Sequence, residues 1–316
     1  MSTETPTTTT DRDRDERGAL ARLKNSPFLS ELLSNRLALV GMGIILGMVL
    51  IALYARLFYD LNALTSSRLG GFPDRTAPGW AGGPASLTEM YFGTDALARD
   101  IFRRTMYGAW IALKFGTITV AASTTLGVGL GIIAAYYGDV TDNVIMRTMD
   151  VVLAFPSLLL ALALVAIFGA GLWKAVIALT LVYTPRFARV VRGAALKVLE
   201  DEYIDATAAL GATDPRILVR HILPNTLAPI TVQSTLNFGL AIIDIAALSF
   251  LGFGAQAGTP SWGLMLANGV ENGLQTGKWW MSFFPGLFLA LTVLGFNLLG
   301  DGMRDALDPR MQDTLD

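Results

Sequence analysis

Long apolar runs separated by short polar segments dominate the chain from residue 37 onward. A helix that rises about 1.5 Å per residue needs about 20 apolar residues to cross roughly 30 Å of hydrocarbon. Because lipid offers the backbone no hydrogen-bond partner, each such run is predicted to be a helix that satisfies its own amides. Six runs reach that length: Leu37–Phe58, Ile111–Tyr137, Ile145–Phe168, Leu172–Val191, Leu227–Leu251 and Trp279–Leu299.

The composition agrees with an all-α membrane protein that has six transmembrane helices. Hydrophobic residues make up 53% of the 316 residues and charged residues 16%, against about 25% charged in soluble chains. The formal net charge of −2 provides no positive field for nucleic acid. The chain has no cysteine and one histidine, His221, which excludes disulfides, thiolate chemistry and sites that need two imidazoles. No cofactor is predicted for this chain.

The polar segments divide the chain into regions. Residues 1–36 form a charged, Thr-rich tail, and its first part is predicted to be disordered because it cannot bury apolar surface. Residues 37–58 are the first span, and residues 59–110 form a long loop. Gly, Pro and Ser are frequent at the start of that loop, and an amphipathic helix capped by Thr94 or Asp95 ends it. Residues 111–301 hold the other five spans, and residues 302–316 form a C-terminal tail.

Lysine and arginine beside the span ends predict the orientation in the membrane. If both termini are cytoplasmic, most basic residues flank inner span ends, and the short outer loops hold little beyond Lys174 and Lys278. Five arginines between residues 68 and 104 oppose this orientation, but a loop of that length carries less orienting weight. We therefore expect both termini of this multi-pass membrane protein to be cytoplasmic.

The segment 199–225 between the fourth and fifth spans is predicted to form two short helices joined by a tight turn. Acidic residues favour the start of the first helix, and Gly211 can take the left-handed conformation that ends it. The second helix is expected to begin with Asp214 as its cap and Pro215 in its first turn. It is expected to end before Pro224.

Two interpretations of this segment are open from its residues alone. Small residues allow close approach of another backbone, and apolar side chains at Tyr203, Ile204 and Leu210 could enter a groove of a partner protein. The equal alternative is an amphipathic connector that lies on the lipid headgroups.

The same segment resembles the EAA loop of ABC importer permeases. That pattern is Glu-Ala-Ala, three residues, Gly, nine residues, Ile, one residue, Leu-Pro. Here Asp205-Ala206-Thr207 stands at Glu-Ala-Ala, and Gly211 stands at the Gly. His221 takes the place of the Ile, and Leu223-Pro224 completes the pattern with the spacing intact.

Further segments resemble the C subunits of dipeptide and oligopeptide permeases, in the family of binding-protein-dependent transport inner-membrane components. They are residues 33–41 (LSNRLALVG), 92–100 (FGTDALARD), 248–254 (LSFLGFG), 260–263 (PSWG) and 296–310 (FNLLGDGMRDALDPR). The resemblance runs from about residue 34 to residue 311. The family usually has Glu-Ala-Ser before the Leu-Ser-Phe-Leu-Gly segment. This chain has Ile245-Ala246-Ala247 there, with Asp244 one residue earlier.

The resemblance implies a type I (MetI-like) permease fold and a non-catalytic subunit of an ATP-driven importer, located in the plasma (inner) membrane. A sister (B-type) permease would complete the channel, two ABC ATPases would lie beneath it, and an extracytoplasmic binding protein would deliver the solute. No Gly-x-x-x-x-Gly-Lys-Ser/Thr loop occurs in this chain, so ATP is expected to bind to the partners.

The residues that the resemblance implies for ATPase coupling are Glu202, Tyr203, Ile204, Asp205, Ala206, Ala209, Leu210, Gly211, Asp214, Pro215, His221 and Pro224. The expected solutes are dipeptides or oligopeptides, with nickel complexes or another small solute as the alternative.

Asp244 lies within the fifth predicted span, where an ionisable group is a functional candidate by default. It could line the translocation path and meet the ammonium group of a peptide. The alternatives are that it lies near the outer rim of the span, or that it pairs with a buried donor such as Asn237 or Gln233 from this chain or its partner. These three residues are the candidates for the path. A rival class is an ion-coupled secondary transporter that uses Asp244, which would work without an ATPase. An intramembrane protease is disfavoured because no facing aspartate pair or membrane-embedded histidine is predicted.

Four further expectations concern packing and the membrane interface. Arg147 and Asp150 are predicted to pair on one helix face. The small residues Gly127, Gly129 and Gly131 predict close helix packing. Trp279 and Trp280 are predicted to lie in the aromatic belt of the interface, and Lys114 and Lys174 are expected to extend toward it.

Overall fold

The computed structural model describes residues 27–66, 74–83 and 91–307, and its regular structure there is helical apart from one isolated bridge between Thr94 and Asp100. The expected disorder at the start of the N-terminal tail lies outside the described residues, as do the parts of the long loop at 67–73 and 84–90 and the end of the C-terminal tail at 308–316. The helices are α1 (Pro27–Ser34), α2 (Arg36–Phe58), α3 (Leu61–Ser66), α4 (Ile101–Tyr137), α5 (Asp139–Leu153), α6 (Ser157–Phe168), α7 (Leu172–Leu199), α8 (Glu202–Ala209), α9 (Asp214–Ile217), α10 (Leu223–Asn225), α11 (Leu227–Phe250), α12 (Trp262–Asn272) and α13 (Trp280–Ala306). Short 3-10 turns cover Gly79–Ala81 and Leu274–Thr276, and a π turn covers Leu218–Ile222.

Four of the described helices, α2, α4, α11 and α13, are long and apolar enough to cross a membrane. The pair α5 and α6 would make a fifth crossing if the two count as one span, but they are bent by 92° at their junction. The predicted third span is therefore not one continuous helix. Pro156 at this junction lacks a backbone donor, which explains the break. α7 is 28 residues long, and the arginines in its second half make it less apolar than these helices. The number six remains a prediction.

The second long helix begins earlier than its apolar run. α4 starts at Ile101, so the expected amphipathic helix is the first part of α4. The predicted cap by Thr94 or Asp95 is wrong, because the Asp100 carboxylate accepts the Phe102 N–H at 2.8 Å. Burial raises the pKa of the Asp100 carboxyl, an effect that its backbone hydrogen bonds oppose. The Asp95 carboxylate instead accepts the N–H groups of Leu97 and Arg99 in the preceding turn.

Small residues of α4 bring its backbone against α7. A Cβ at Gly127 would lie 2.3 Å from the Phe187 Cβ, and one at Gly131 would lie 2.5 Å from the Ala188 carbonyl oxygen. Gly129 faces open space. The predicted close packing is thus confirmed for two of the three glycines. Side chains of α7 opposite this seam, such as Phe187 and Val191, are fully buried, as the direct contact of the two helices requires.

A buried arginine fastens the start of α4 to two other segments. Arg104 is 1% exposed, and its guanidinium donates to the backbone oxygens of Leu64 and Gly258, the latter at 3.1 Å. Its Nε lies 3.8 Å from the Asp95 carboxylate, which also pairs with Arg99 at 2.7 Å. Charge-assisted hydrogen bonds of this kind are strong when they are shielded from water. The α3 turn and the segment before α12 are therefore tied to α4.

Candidate coupling surface

The helix α8 forms where the acidic segment of the loop predicts it. Glu202 and Asp205 lie in its first turn, where the helix dipole favours negative charge. Gly211 follows its end with a φ of +84°, a conformation that favours glycine. The Gly211 N–H donates to the Ala208 carbonyl at 2.9 Å and closes the final turn. The sequence prediction for this helix and its end is confirmed.

One side chain anchors α8 to the rest of the chain. Ile204 is 4% exposed, and it is the buried residue of this helix. It belongs to a cluster with Ile217 and Ile222 from the following segment and with Ile132 of α4 and Val191 of α7. Burial of one isoleucine among several helices fixes the position of α8 and leaves most of its surface open.

The opposite face of α8 is available to another protein. Glu202, Ala206 and Ala209 project away from Ile204 by the helical period, and all three are exposed. Just after the helix, the Leu210 side chain is 90% exposed. Alanines permit close approach of a partner's backbone, and an exposed leucine beside them gives that partner apolar area to bury. This arrangement is typical of a docking surface.

The hydroxyl of Tyr203 makes a contact that sequence reasoning missed. The Asn225 side-chain amide donates to the Tyr203 hydroxyl at 2.8 Å and to the His221 carbonyl at 2.7 Å. The rings of Tyr203 and His221 lie 6.2 Å apart. Tyr203 was predicted as an apolar contact, whereas its hydroxyl also links α8 to the segment that leads into α11. The only signal in the sequence is the four-residue spacing of His221 and Asn225.

Asp214 does not cap the second helix. Thr213 holds the extended cap position, and Asp214 is the first helical residue. The Asp214 carboxylate instead accepts the hydroxyl of Tyr136 at 2.9 Å and that of Tyr137 at 3.3 Å. Pro215 lies in the first turn, as predicted. The loop is therefore connected to the end of α4 through two tyrosines that sequence reasoning missed.

The predicted stop before Pro224 is also wrong. The helical path continues from α9 through the π turn and Pro224 to Asn225. Within the π turn the Leu223 N–H bonds to the Leu218 carbonyl, five residues back. The wider turn changes the pattern of backbone hydrogen bonds just before the proline, which has no N–H to donate. The segment thus leads almost without interruption into α11.

Asp244 is hydrogen-bonded by a residue that was not among the expected donors. The Tyr183 hydroxyl of α7 donates to its carboxylate at 2.6 Å. Asn237 is 1% exposed, and within the described residues its side-chain amide has no hydrogen-bond partner. Gln233 lines a cavity of about 580 Å³ together with Val190 and others. Asp244 thus pairs with a buried donor, as one of the alternatives has it, but within this chain that donor is Tyr183 and not Asn237 or Gln233.

Two ion pairs tie α5 to α7. Asp150 pairs with Arg189 at 2.7 Å, and Asp142 receives both ends of the Arg192 guanidinium. The expected pair of Asp150 with Arg147 is wrong, because α5 packs against α7 and brings Arg189 within reach. No cluster of metal-ligating side chains occurs in the ranges that the structure describes.

The two tryptophans at the start of α13 differ in their exposure. Trp279 is partly exposed, as expected for an interface residue. Trp280 is buried, and its ring N–H donates to the Thr94 carbonyl at 3.3 Å. Its place in an exposed belt was therefore predicted wrongly. Lys114 and Lys174 are both exposed.

Comparison with known protein families shows which family the chain belongs to. The family described as "Binding-protein-dependent transport system inner membrane component" matches residues 127–313. The chain belongs to this family. The family described as "N-terminal TM domain of oligopeptide transport permease C" matches residues 27–70. This inner-membrane component is accordingly a multi-pass plasma-membrane permease subunit without catalytic activity of its own.

Curated relatives match this inner-membrane component over most of its length. The dipeptide transport system permease protein DppC of Alkalihalophilus pseudofirmus is 46% identical over 282 residues, 89% of this chain and 88% of the relative. DppC of Escherichia coli (strain K12) is 44% identical and covers 88% and 90%. The glutathione transport system permease protein GsiD of Pectobacterium atrosepticum is 44% identical and covers 73% and 75%.

A solved structure supports the fold. The MetNI methionine ABC transporter, in an inward-facing conformation, has a chain that matches with a TM-score of 0.51 and 20% sequence identity. The match covers 66% of this chain and 98% of that one. The predicted type I ABC importer permease fold is confirmed.

Proposed function

We propose that this chain is the permease subunit of an ATP-driven importer of dipeptides or oligopeptides that depends on a binding protein. A sister (B-type) permease completes the channel, and two ABC ATPases dock on α8 and the segment around it. The relatives named as dipeptide permeases support the solute class. The single observation that carries the coupling role is α8 itself, with its one buried anchor and its exposed alanine face. A relative named for glutathione transport supports a related alternative solute.

In the proposed topology both termini are cytoplasmic and α8 faces the ATPases. The broken pair α5–α6 and the charged helix α7 then complete the six crossings. This orientation places the exposed face of α8 in water, where Glu202 and Leu210 can meet a soluble partner. A binding protein delivers the solute at the opposite end.

Coupling would proceed through contacts that the chain already has. ATP binding closes the ATPase pair and displaces α8 with it, because the helix lies in the ATPase cleft. The Ile204 cluster joins α8 to α4 and α7, and the helical segment through Pro224 joins it to α11. Rigid-body movement of these helices switches the channel between inward-open and outward-open states. ATP supplies the free-energy bias between the two.

The translocation path in this proposal runs beside α11. Asp244 is half-buried and Gln233 lines the 580 Å³ cavity, so both can contact solute or water. Asn237 lies between helices within the chain. Its unpaired amide supports a role for it only in a state in which these helices separate.

A matched pair of substitutions on α8 tests the coupling role. Ala206→Glu places a charge on the face opposite Ile204, and Ala208→Glu places the same charge on the flank nearer that anchor. In the co-expressed importer, we expect Ala206→Glu to lower both ATPase co-purification and ATP-dependent uptake at least ten-fold. Ala208→Glu should have a much smaller effect. Gly211→Asp, which strains the turn, should act in the same direction as Ala206→Glu.

The controls separate docking from folding. Membrane insertion and co-purification of the sister permease should stay at wild-type levels in all three variants. Wild-type amounts of ATPase bound to the Ala206→Glu variant would contradict the proposal.

A further inference from the structure

A carboxylate and a tyrosine form an isolated polar pair within two membrane helices. Asp244 lies six residues before the end of α11 at Phe250, which is about 9 Å along the helix. Tyr183 lies eleven residues into α7 and is fully buried, and its hydroxyl donates to the Asp244 carboxylate at 2.6 Å. The tyrosine occupies one carboxylate oxygen and fixes the direction of the group. The other oxygen has no partner among the described residues.

The negative charge of Asp244 has no counter-charge in direct contact. Within the residues described by the structure, Asp244 forms no ion pair. Arg186, the cation one turn along α7, lies over the ring of Tyr183 with its guanidinium carbon 5.3 Å from the ring centroid. Lys114 of α4 lies against the rings of Phe115 and Trp173. Neither cation forms an ion pair with the carboxylate, although the charge of Arg186 acts on it at longer range.

The surroundings make this charge costly unless something compensates it. Leu240 and Ile243, on the same exposed side of α11, are both apolar. A lone carboxylate in contact with lipid is rare, and intramembrane acids nearly always face the protein interior or a water-filled cavity. Apolar walls also lower the local dielectric constant, which strengthens the attraction for a cation that enters. The half-buried Asp244 therefore suits the transient binding of a cationic group.

We propose that Asp244, oriented by Tyr183, binds the protonated amino group of the solute during translocation. This inference rests on the proposed function, because a peptide with a free amino terminus carries an ammonium group. That group has up to three N–H donors and a positive charge, and the open oxygen of Asp244 can accept one of the donors. Tyr183 is a positioning residue, since its hydroxyl holds the carboxylate without reaching the solute.

The decisive experiment uses the whole importer, reconstituted with its sister permease, ATPases and binding protein. Initial uptake of radiolabelled dialanine is measured for wild type, Asp244→Asn and Tyr183→Phe. We expect uptake to fall at least ten-fold in Asp244→Asn and about three-fold in Tyr183→Phe. ATPase co-purification should be unchanged in both. Glu271→Gln, an exposed carboxyl-to-amide change on α12, serves as the matched control and should leave uptake unchanged.

A binding measurement without the binding protein isolates the ammonium contact. The purified permease–ATPase complex is titrated with dialanine and with N-acetyl-dialanine, which lacks the ammonium group. Wild type should bind dialanine at least five-fold more tightly than the acetylated form, and Asp244→Asn should bind both equally. Equal binding of the two compounds by wild type, or a preference that persists in Asp244→Asn, overturns the inference.

Two other outcomes assign Asp244 a different role and overturn the proposal as well. Loss of the sister permease from the Asp244→Asn complex would assign the carboxylate to the contact between subunits. Uptake by wild type that collapses when a proton gradient is removed at constant ATP would assign it to proton coupling. The coupling proposal is tested separately, because Ala206→Glu acts on ATPase binding and leaves Asp244 intact.

Discussion

The seam between α4 and α7 and the helix α8 both depend on small residues, but they use them in opposite ways. Gly127 and Gly131 bring two backbones of the same chain into contact and disappear from the surface. Ala206 and Ala209 remain exposed, and Ile204 is the buried side chain that packs their helix against the rest of the chain. Small residues between long apolar helices therefore mark internal packing. The same residues on a short, acidic helix mark a surface kept for another protein.

The largest loss of stability is expected from a substitution that separates α4 from α7. Gly131→Leu would force side-chain atoms against the Ala188 carbonyl and the Val191 Cβ, which an added Cβ would already approach to 2.5 and 3.0 Å. We expect a loss of about 3 kcal/mol or more, because α4 and α7 must separate. Thermal unfolding of the purified permease in detergent, followed by tryptophan fluorescence, measures it. Gly129→Leu is the control, since Gly129 faces open space. An equal loss of stability in both variants would contradict the role of close α4–α7 packing.

A smaller loss of stability, confined to α8, is expected when its anchor Ile204 is shortened. Ile204→Ala removes the side chain that packs against Ile217 and Ile222. This should cost about 2–4 kcal/mol of the free energy that holds α8 against the rest of the chain. Hydrogen exchange should accelerate in residues 202–209 and stay unchanged in α4. Leu210→Ala, at a side chain that is 90% exposed, should leave exchange unaltered. If exchange in α4 rises as strongly as in α8, the two regions are not separable and the comparison fails.

The smallest effect is expected from one hydroxyl group. Tyr203→Phe keeps the ring but removes the acceptor of the Asn225 amide, a change worth about 0.5–1 kcal/mol for an exposed bond. Exchange in α8 should rise about two- to five-fold. Tyr91→Phe alters a tyrosine whose backbone carbonyl accepts the Trp80 ring N–H, and it should change nothing in α8. An unchanged rate in Tyr203→Phe would show that Ile204 alone holds the helix.

Features that depend on local pattern could be predicted from the sequence. The apolar runs located both ends of α2 and α11 and the start of α13 to within one residue, whereas α13 ends at Ala306, beyond the predicted Leu299. The glycine at 211 correctly marked the end of α8. Both follow from interactions within one segment, namely helical hydrogen bonding and backbone conformation.

Features that depend on distant contacts were predicted wrongly or missed. Asp214 reads locally as a helix cap, but tyrosines 77 and 78 residues away bind its carboxylate. Asp150 has a suitable partner three residues away, yet the fold brings Arg189 to it from 39 residues away. The partner of Asp244 is likewise 61 residues distant. Such pairings require the three-dimensional arrangement of helices, which hydrophobic periodicity does not encode.

Arg104 has a mechanical consequence for the whole chain. It sits at one extremity of α4, and the two tyrosines that hold Asp214 sit at the other, a separation of about 50 Å along the helix axis. The start of α4 is thus held by the buried guanidinium of Arg104, which would lose its hydrogen-bond partners if the helix moved there. The other end is held by two tyrosine hydroxyls, which can form hydrogen bonds with water instead. If α4 moves as a rigid rod when a force is applied near Asp214, we expect its displacement to be largest at that end and smallest at Arg104.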